Sequence, residues 1–206
     1  GGLGLLFSSL LEIFGLIYIF AISLGLAAFF FKSYVNYISG SEGEAMVAQY
    51  LENLDDQYFL INDVKLSNGY GNIDHIVLCP NGIFVIETKN FQGQIRCEGD
   101  SWYQYKPEWK IPEEYEIKSP SKQVKGNALQ LKRFIESKNI FNKPLNLWID
   151  GIIVFPNDTL ELNINSPTVA VVRADNLCNY IKNTQSKFRL SPHELQSIGK
   201  SILESC

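Results

Sequence analysis

Nineteen consecutive residues without a charge, from Ile13 to Phe31 (IFGLIYIFAISLGLAAFFF), constrain this chain more than any other feature of its sequence. As a helix rising 1.5 Å per residue, the run would span about 28 Å, close to the hydrocarbon thickness of a bilayer. A buried helix of a soluble core is the ordinary alternative, but such helices rarely run this long without a polar face. A cleaved signal peptide would carry a shorter apolar run, a basic leader and a small-x-small site. Here Glu12 is the only charge before Lys32, and aromatics close the run. The pattern predicts a membrane anchor over residues 1–32, chiefly as one transmembrane helix. Lys32 on the C-terminal flank, with no Lys or Arg before the run, orients the rest of the chain toward the cytoplasm. The chain opens on Gly-Gly rather than Met, so residues upstream of Gly1 are left open.

The full 206 residues leave room for one domain of ordinary size beside the anchor. The net charge of −4 provides no global basic field, so any attraction for nucleic acid must come from a local patch. Four cysteines (Cys79, Cys97, Cys178, Cys206) without a CxxC pair, together with two histidines, make a structural zinc site a poor fit. Scattered thiols suit a reducing compartment.

Ser33 to Gly40 reads as a juxtamembrane linker, and residues 41–206 as the folded domain. Ser41 and Glu44 have the spacing of a capping box that would open a helix through Met46, Val47, Tyr50 and Leu51. Three β-type runs follow at 58–66, 72–78 and 83–89, separated by the turns SNGYG and CPNG. A less regular stretch holds Trp102, Tyr103, Tyr105 and Trp109. Ser119-Pro120 then opens a helix to about Lys138. Strands are expected at 146–155 and 168–173, then two closing helices, one after Asp175 and one capped by Ser191 and Glu194. This order predicts an α/β fold, a mixed β-sheet flanked by helices on both faces.

The chemistry concentrates in Gly71-Asn-Ile-Asp74-His-Ile-Val-Leu-Cys-Pro-Asn-Gly82-Ile-Phe-Val-Ile-Glu87-Thr-Lys89. Strand alternation puts Ile83, Val85, Glu87 and Lys89 on one face. A charged pair ending an apolar strand is odd as packing, because buried charge is costly unless paired or metal-bound. If Pro80-Asn81 is the two-residue loop, Asp74 sits opposite Glu87. If Asn81-Gly82 is the loop, Asp74 faces Lys89 with Glu87 diagonal. Either register brings the three onto one face, a set suited to a hard divalent cation such as Mg²⁺ or Mn²⁺. The bland reading is a surface salt bridge of Lys89 with a carboxylate.

These residues, with GEAMVAQYL before them and SPSKQVKGNALQL after, resemble the nuclease-related domain (NERD) family of the PD-(D/E)xK superfamily, most closely over 41–156. The resemblance implies a restriction-endonuclease-like fold and hydrolysis of phosphodiester bonds. It implies Asp74 and Glu87 as metal ligands and Lys89 as the catalytic lysine. It adds Glu44 as a further metal ligand and Gln123 as a residue orienting a ligand or the attacking water. The superfamily's proline before the first aspartate is replaced by Ile73.

Each addition has a competing role. Glu44 has a second job in the capping box, and Gln123 would by default be a helix-surface residue. His75 points to the opposite sheet face, which favours a structural role over a catalytic one. Seven basic residues (Lys118, Lys122, Lys125, Lys132, Arg133, Lys138, Lys143) stand against Glu136 alone between Ile117 and Lys143. They are either a solvated helix face or a patch for a phosphate backbone. The four aromatics of 102–109 are core packing or base-stacking platforms. Neither a phosphate-binding glycine motif nor a Ser-His-Asp triad is present. The expectation is a membrane-anchored, metal-dependent nuclease with DNA favoured over RNA as partner. The alternative is a tethered nucleic-acid-binding or scaffold module.

Overall fold

The computed structural model describes residues 2–66, 71–106, 114–141, 147–184 and 189–205, with side chains from residue 14 onward. Trp109, Lys143, Cys206 and most of the SNGYG turn lie outside the described residues. The chain divides into two units, Gly1–Ser41 and Glu42–Cys206.

Helix α1 runs from Gly2 to Leu51, and its apolar stretch is long and apolar enough to cross a membrane. Within the first unit, apolar side chains such as Ile17, Phe20, Leu24 and Phe30 are exposed. The sequence predicts a linker over 33–40 and a helix start at Ser41. The structure instead carries helix straight through both. No proline interrupts this stretch, and each isolated glycine costs a helix only about 1 kcal/mol. Glu44 therefore sits inside a helix, with no N-terminus to cap.

The second unit is mixed α/β, as expected. Its main sheet has the order β1-β2-β3-β7-β9, from Phe59–Val64 (β1), Ile73–Cys79 (β2), Gly82–Thr88 (β3), Ile149–Phe155 (β7) and Ala170–Arg173 (β9). The first three strands are antiparallel neighbours, while β3-β7 and β7-β9 are parallel. Parallel central strands are covered on both faces, which explains why β3 is buried along its whole length. Ile83 and Val85 join a core with Val124, Ala128 and Leu131 of helix α2 (Pro120–Ser137) and Leu195, Ile198 and Ile202 of helix α4 (Pro192–Leu203). Phe84 and Ile86 join the opposite core with Val47 and Leu51 of α1 and Leu177 and Ile181 of helix α3 (Leu177–Asn183). The expected capping box of α4 forms: Glu194 N–H donates to Ser191 Oγ, and Ser191 N–H donates to Glu194 Oε2 at 2.7 Å.

A second sheet was not expected. It has the order β6-β5-β4-β8, from Gln94–Glu98 (β4), Ser101–Tyr105 (β5), Tyr115–Ile117 (β6) and Glu161–Asn165 (β8). Its strands are three to five residues long and rich in Gln and Glu, so they lack the β-branched runs that mark the main sheet. The sheet stands because Ile95, Cys97 and Trp102 turn inward to the larger core.

Candidate active site

Cys79 pairs with Gly82 and His75 with Ile86, so Pro80-Asn81 is the two-residue loop. That is the register in which Asp74 stands opposite Glu87. The ladder ends at His75, and there the Asp74 side chain takes over: its Oδ2 accepts the Thr88 N–H at 2.7 Å.

Glu87 is the costliest residue of this hairpin. It occupies the C-terminal end of a buried strand and is 1% exposed. A bare carboxylate there would lose its hydration without replacement. Lys89 Nζ compensates by donating to Oε1 at 2.6 Å, and Asn127 Nδ2 on α2 donates to Oε2 at 3.3 Å. Both oxygens are thus held by protein. Lys89 keeps 22% of its side chain exposed, which makes it the member of the pair that meets solvent.

The carboxylates work against one another. Burial first, then the charge of Asp74, push the Glu87 pKa up to about 7, although Lys89 pulls it down. Asp74 is raised mainly by burial, with Thr88 N–H and Lys89 opposing. Glu44 is raised by burial, then by Asp74 and Asp63, and lowered by Lys89. Glu44 therefore belongs to the same electrostatic cluster. Its approach depends on Gly43, where a Cβ would stand 2.7 Å from the Cβ of Asn90, the residue after Lys89. Gly43→Ala should cost about 1–3 kcal/mol through this overpacking, read as a lowered urea midpoint at unchanged slope. An unchanged midpoint would show that Asn90 yields freely.

Gln123 is half-buried and lies one turn before Asn127 on α2, and both line a groove along that helix. The hydrogen bond to Glu87 comes from Asn127, which sequence reasoning missed. Its signal was present: Gln123 and Asn127 are four apart and share a helix face. His75 lies on the other sheet face, as expected. Its Nδ1 is 2.8 Å from Asn62 Oδ1, and burial pushes its pKa down to about 4. Trp102 is fully buried and donates from Nε1 to Ser121 Oγ at 2.7 Å, so it is core and not a stacking platform.

The raised Glu87 pKa has a thermodynamic consequence. The folded state holds this proton more tightly than the unfolded chain does. Its stabilisation is therefore complete below pH 4.5 and lost as pH rises through about 7. His75 acts in the opposite sense, losing stability as pH falls from 6.5 toward about 4. Urea unfolding in EDTA, comparing wild type with Glu87→Gln, isolates the first effect. Wild type should weaken relative to the variant between pH 5 and 8, and parallel curves would contradict the assignment.

An acid at the end of one strand, set across a tight hairpin from E-x-K on a mixed α/β sheet, defines the class: this is a PD-(D/E)xK-type arrangement. The chain belongs to the nuclease-related domain (NERD) family, whose model matches residues 39–156, more than half of its length. An uncharacterized protein of Bacillus anthracis is 40% identical over 68 residues, which cover 31% of this chain and 32% of that relative. The chain thus spans about a third of that curated relative. No solved structure matches the chain.

Proposed function

We propose that the chain is a membrane-anchored nuclease, dependent on a divalent metal, that hydrolyses phosphodiester bonds, with DNA favoured over RNA. One observation carries the reading: Glu87, Lys89 and Asp74 converge at the family's matching positions, where burial leaves the carboxylates short of positive charge.

The donors at the candidate site are the carboxylates of Glu44, Asp74 and Glu87. They are oxygens only, and their mutual repulsion raises each other's pKa, which favours a hard cation. Among the described residues no three His, Cys, Asp or Glu stand together as a ready-made cage. Mg²⁺ is held by one or two carboxylates plus waters and phosphate, so the donor set fits. Asp74 and Glu87 would hold the ion, with Glu44 alongside. When bound, it would supply positive charge against the phosphate and lower the pKa of water.

The chain's own groups do the positioning. Asn127 keeps the Glu87 carboxylate plane fixed from α2. Thr88 N–H keeps Asp74 turned toward the hairpin. Lys89, bonded to Glu87 and open to solvent, holds the attacking water and faces the phosphate that water approaches. The apolar part of α1 anchors the protein in a membrane, with the domain on the cytoplasmic side. The described cysteines Cys79, Cys97 and Cys178 are free thiols, in keeping with that side.

The second reading is a tethered binding module without catalysis. It is favoured by the closeness of the Glu87–Lys89 pair, which occupies a carboxylate oxygen the metal would need. The full chain in detergent, incubated with plasmid and Mg²⁺, separates the two. Cleavage abolished by Asp74→Ala and Lys89→Ala, with the fold retained, supports the nuclease. Equal cleavage in both variants would sink it. Salt-sensitive DNA binding without cleavage would establish the second reading.

A further inference from the structure

The seven basic residues around α2 do not act alike. Lys125 is held by Asp100 at 2.6 Å, Lys132 lies 3.9 Å from Glu136, and Lys138 sits over the Phe134 ring at 4.8 Å. Among the described residues, no ion pair holds Lys118, Lys122 or Arg133. These three line one groove of about 720 Å³, which also contains Asn127, the residue bonded to Glu87. Asn127 lies midway along the groove, between Lys122 and Arg133, and is its link to the candidate active site. Lys122 and Arg133 are about 16 Å apart along the helix axis.

Two further features describe what fits there. The groove is lined by Leu129 and Phe134 as well as cations, so it offers apolar contact beside charge. A duplex presents phosphate ridges and hides its base faces. An unpaired strand exposes both, and strand-binding grooves combine cations with apolar contact to bases. The second feature is Gly126, in the middle of α2. A Cβ there would meet nothing within 4 Å, so packing does not demand glycine. Glycine costs the helix stability at such a position. What it provides is room in the groove, one turn after Lys122.

We propose that this groove binds a single-stranded nucleic-acid segment, its phosphates on Lys118, Lys122 and Arg133 and its bases against the exposed Leu129 side chain, feeding the scissile bond to Glu87 and Lys89. The inference rests on the nuclease reading for its direction, but its test does not need cleavage.

The full chain in detergent, kept in EDTA, is titrated with a fluorescein-labelled oligothymidylate of about 16 nucleotides and with a duplex of equal length. The single strand binds more tightly than the duplex. The combined Lys118→Gln, Lys122→Gln, Arg133→Gln variant loses affinity by about 10–100-fold and its log–log salt slope falls by about 2. Gly126→Gln leaves every charge in place, weakens binding, and unfolds at a temperature no lower than wild type. Wild-type affinity in either variant, or preference for the duplex, overturns the proposal. If plasmid is cleaved while both variants bind normally, the groove is refuted and the nuclease stands. If the groove binds as described and neither plasmid nor the oligothymidylate is cleaved with Mg²⁺, the nuclease reading fails and the groove stands as a strand-binding site alone.

Discussion

Replacing Lys89 by Met should reduce plasmid cleavage by about 10²–10⁴-fold, the range lost with a positioned acid–base group. Methionine keeps the aliphatic stem and removes only the charge, so packing at the end of β3 is retained. Two consequences of the deletion must be separated. The first is chemical: the ammonium proposed to hold water and face the phosphate is gone. The second is electrostatic: Glu87, 1% exposed, loses the partner bonded to its Oε1 at 2.6 Å. Removing one member of a buried pair costs about 3–5 kcal/mol when the remaining group must stay charged. Glu87 has an escape, because its pKa is already about 7 and rises further without Lys89. It takes up a proton, and the stability penalty shrinks toward acid pH. Cleavage rates should therefore be compared well below both unfolding midpoints, alongside Asp74→Ala. Asp74→Ala leaves Lys89 in place and should be as inactive. A variant that stays folded and cleaves at the wild-type rate would refute the role of its residue.

Trp102→Ala should be the most destabilising substitution considered, at about 3–5 kcal/mol for the cavity alone. The indole is wholly buried, its ring centroid lies 6.1 Å from that of Phe155, and its Nε1 donates to the buried Ser121 hydroxyl. Truncation therefore also strands Ser121 without a donor, at about 1–3 kcal/mol. Against a total domain stability of about 5–15 kcal/mol, the sum brings the protein near its unfolding threshold. Trp102→Phe keeps most of the volume and loses the hydrogen bond, so its cost should be clearly smaller. Urea unfolding of both variants checks the ordering. A base-stacking tryptophan would behave in the opposite way, losing nucleic-acid affinity with the urea midpoint intact.

How far the sequence could be read differs from element to element. The hairpin of β2 and β3 was legible because alternation has a period of two and the loop has two candidate placements. Either placement puts Asp74 beside Glu87 and Lys89. The strands of the second sheet were not legible. Segments such as QIRCE and ELNIN carry too few apolar residues to announce a strand, and become one only when Trp102 and Ile95 have a core to enter. Ser41 was misread for a related reason. A capping box competes with continuation of the helix, and nothing between residues 33 and 43 breaks the helix.

By itself the sequence determined the class of fold, the apolar helix and the three residues of the candidate site. Those follow from local periodicity and from charge placed where charge is costly. Only the tertiary structure decided which loop sets the hairpin register and that Asn127 is what grips Glu87. It also decided that Lys118, Lys122 and Arg133 line the groove beside the site while Lys125 is held elsewhere. These are distances between elements far apart in the chain, and no local pattern encodes them. They depend on how closely α1 and α2 settle against the sheet, which Gly43 permits on one side and the packing of Val124, Ala128 and Leu131 fixes on the other.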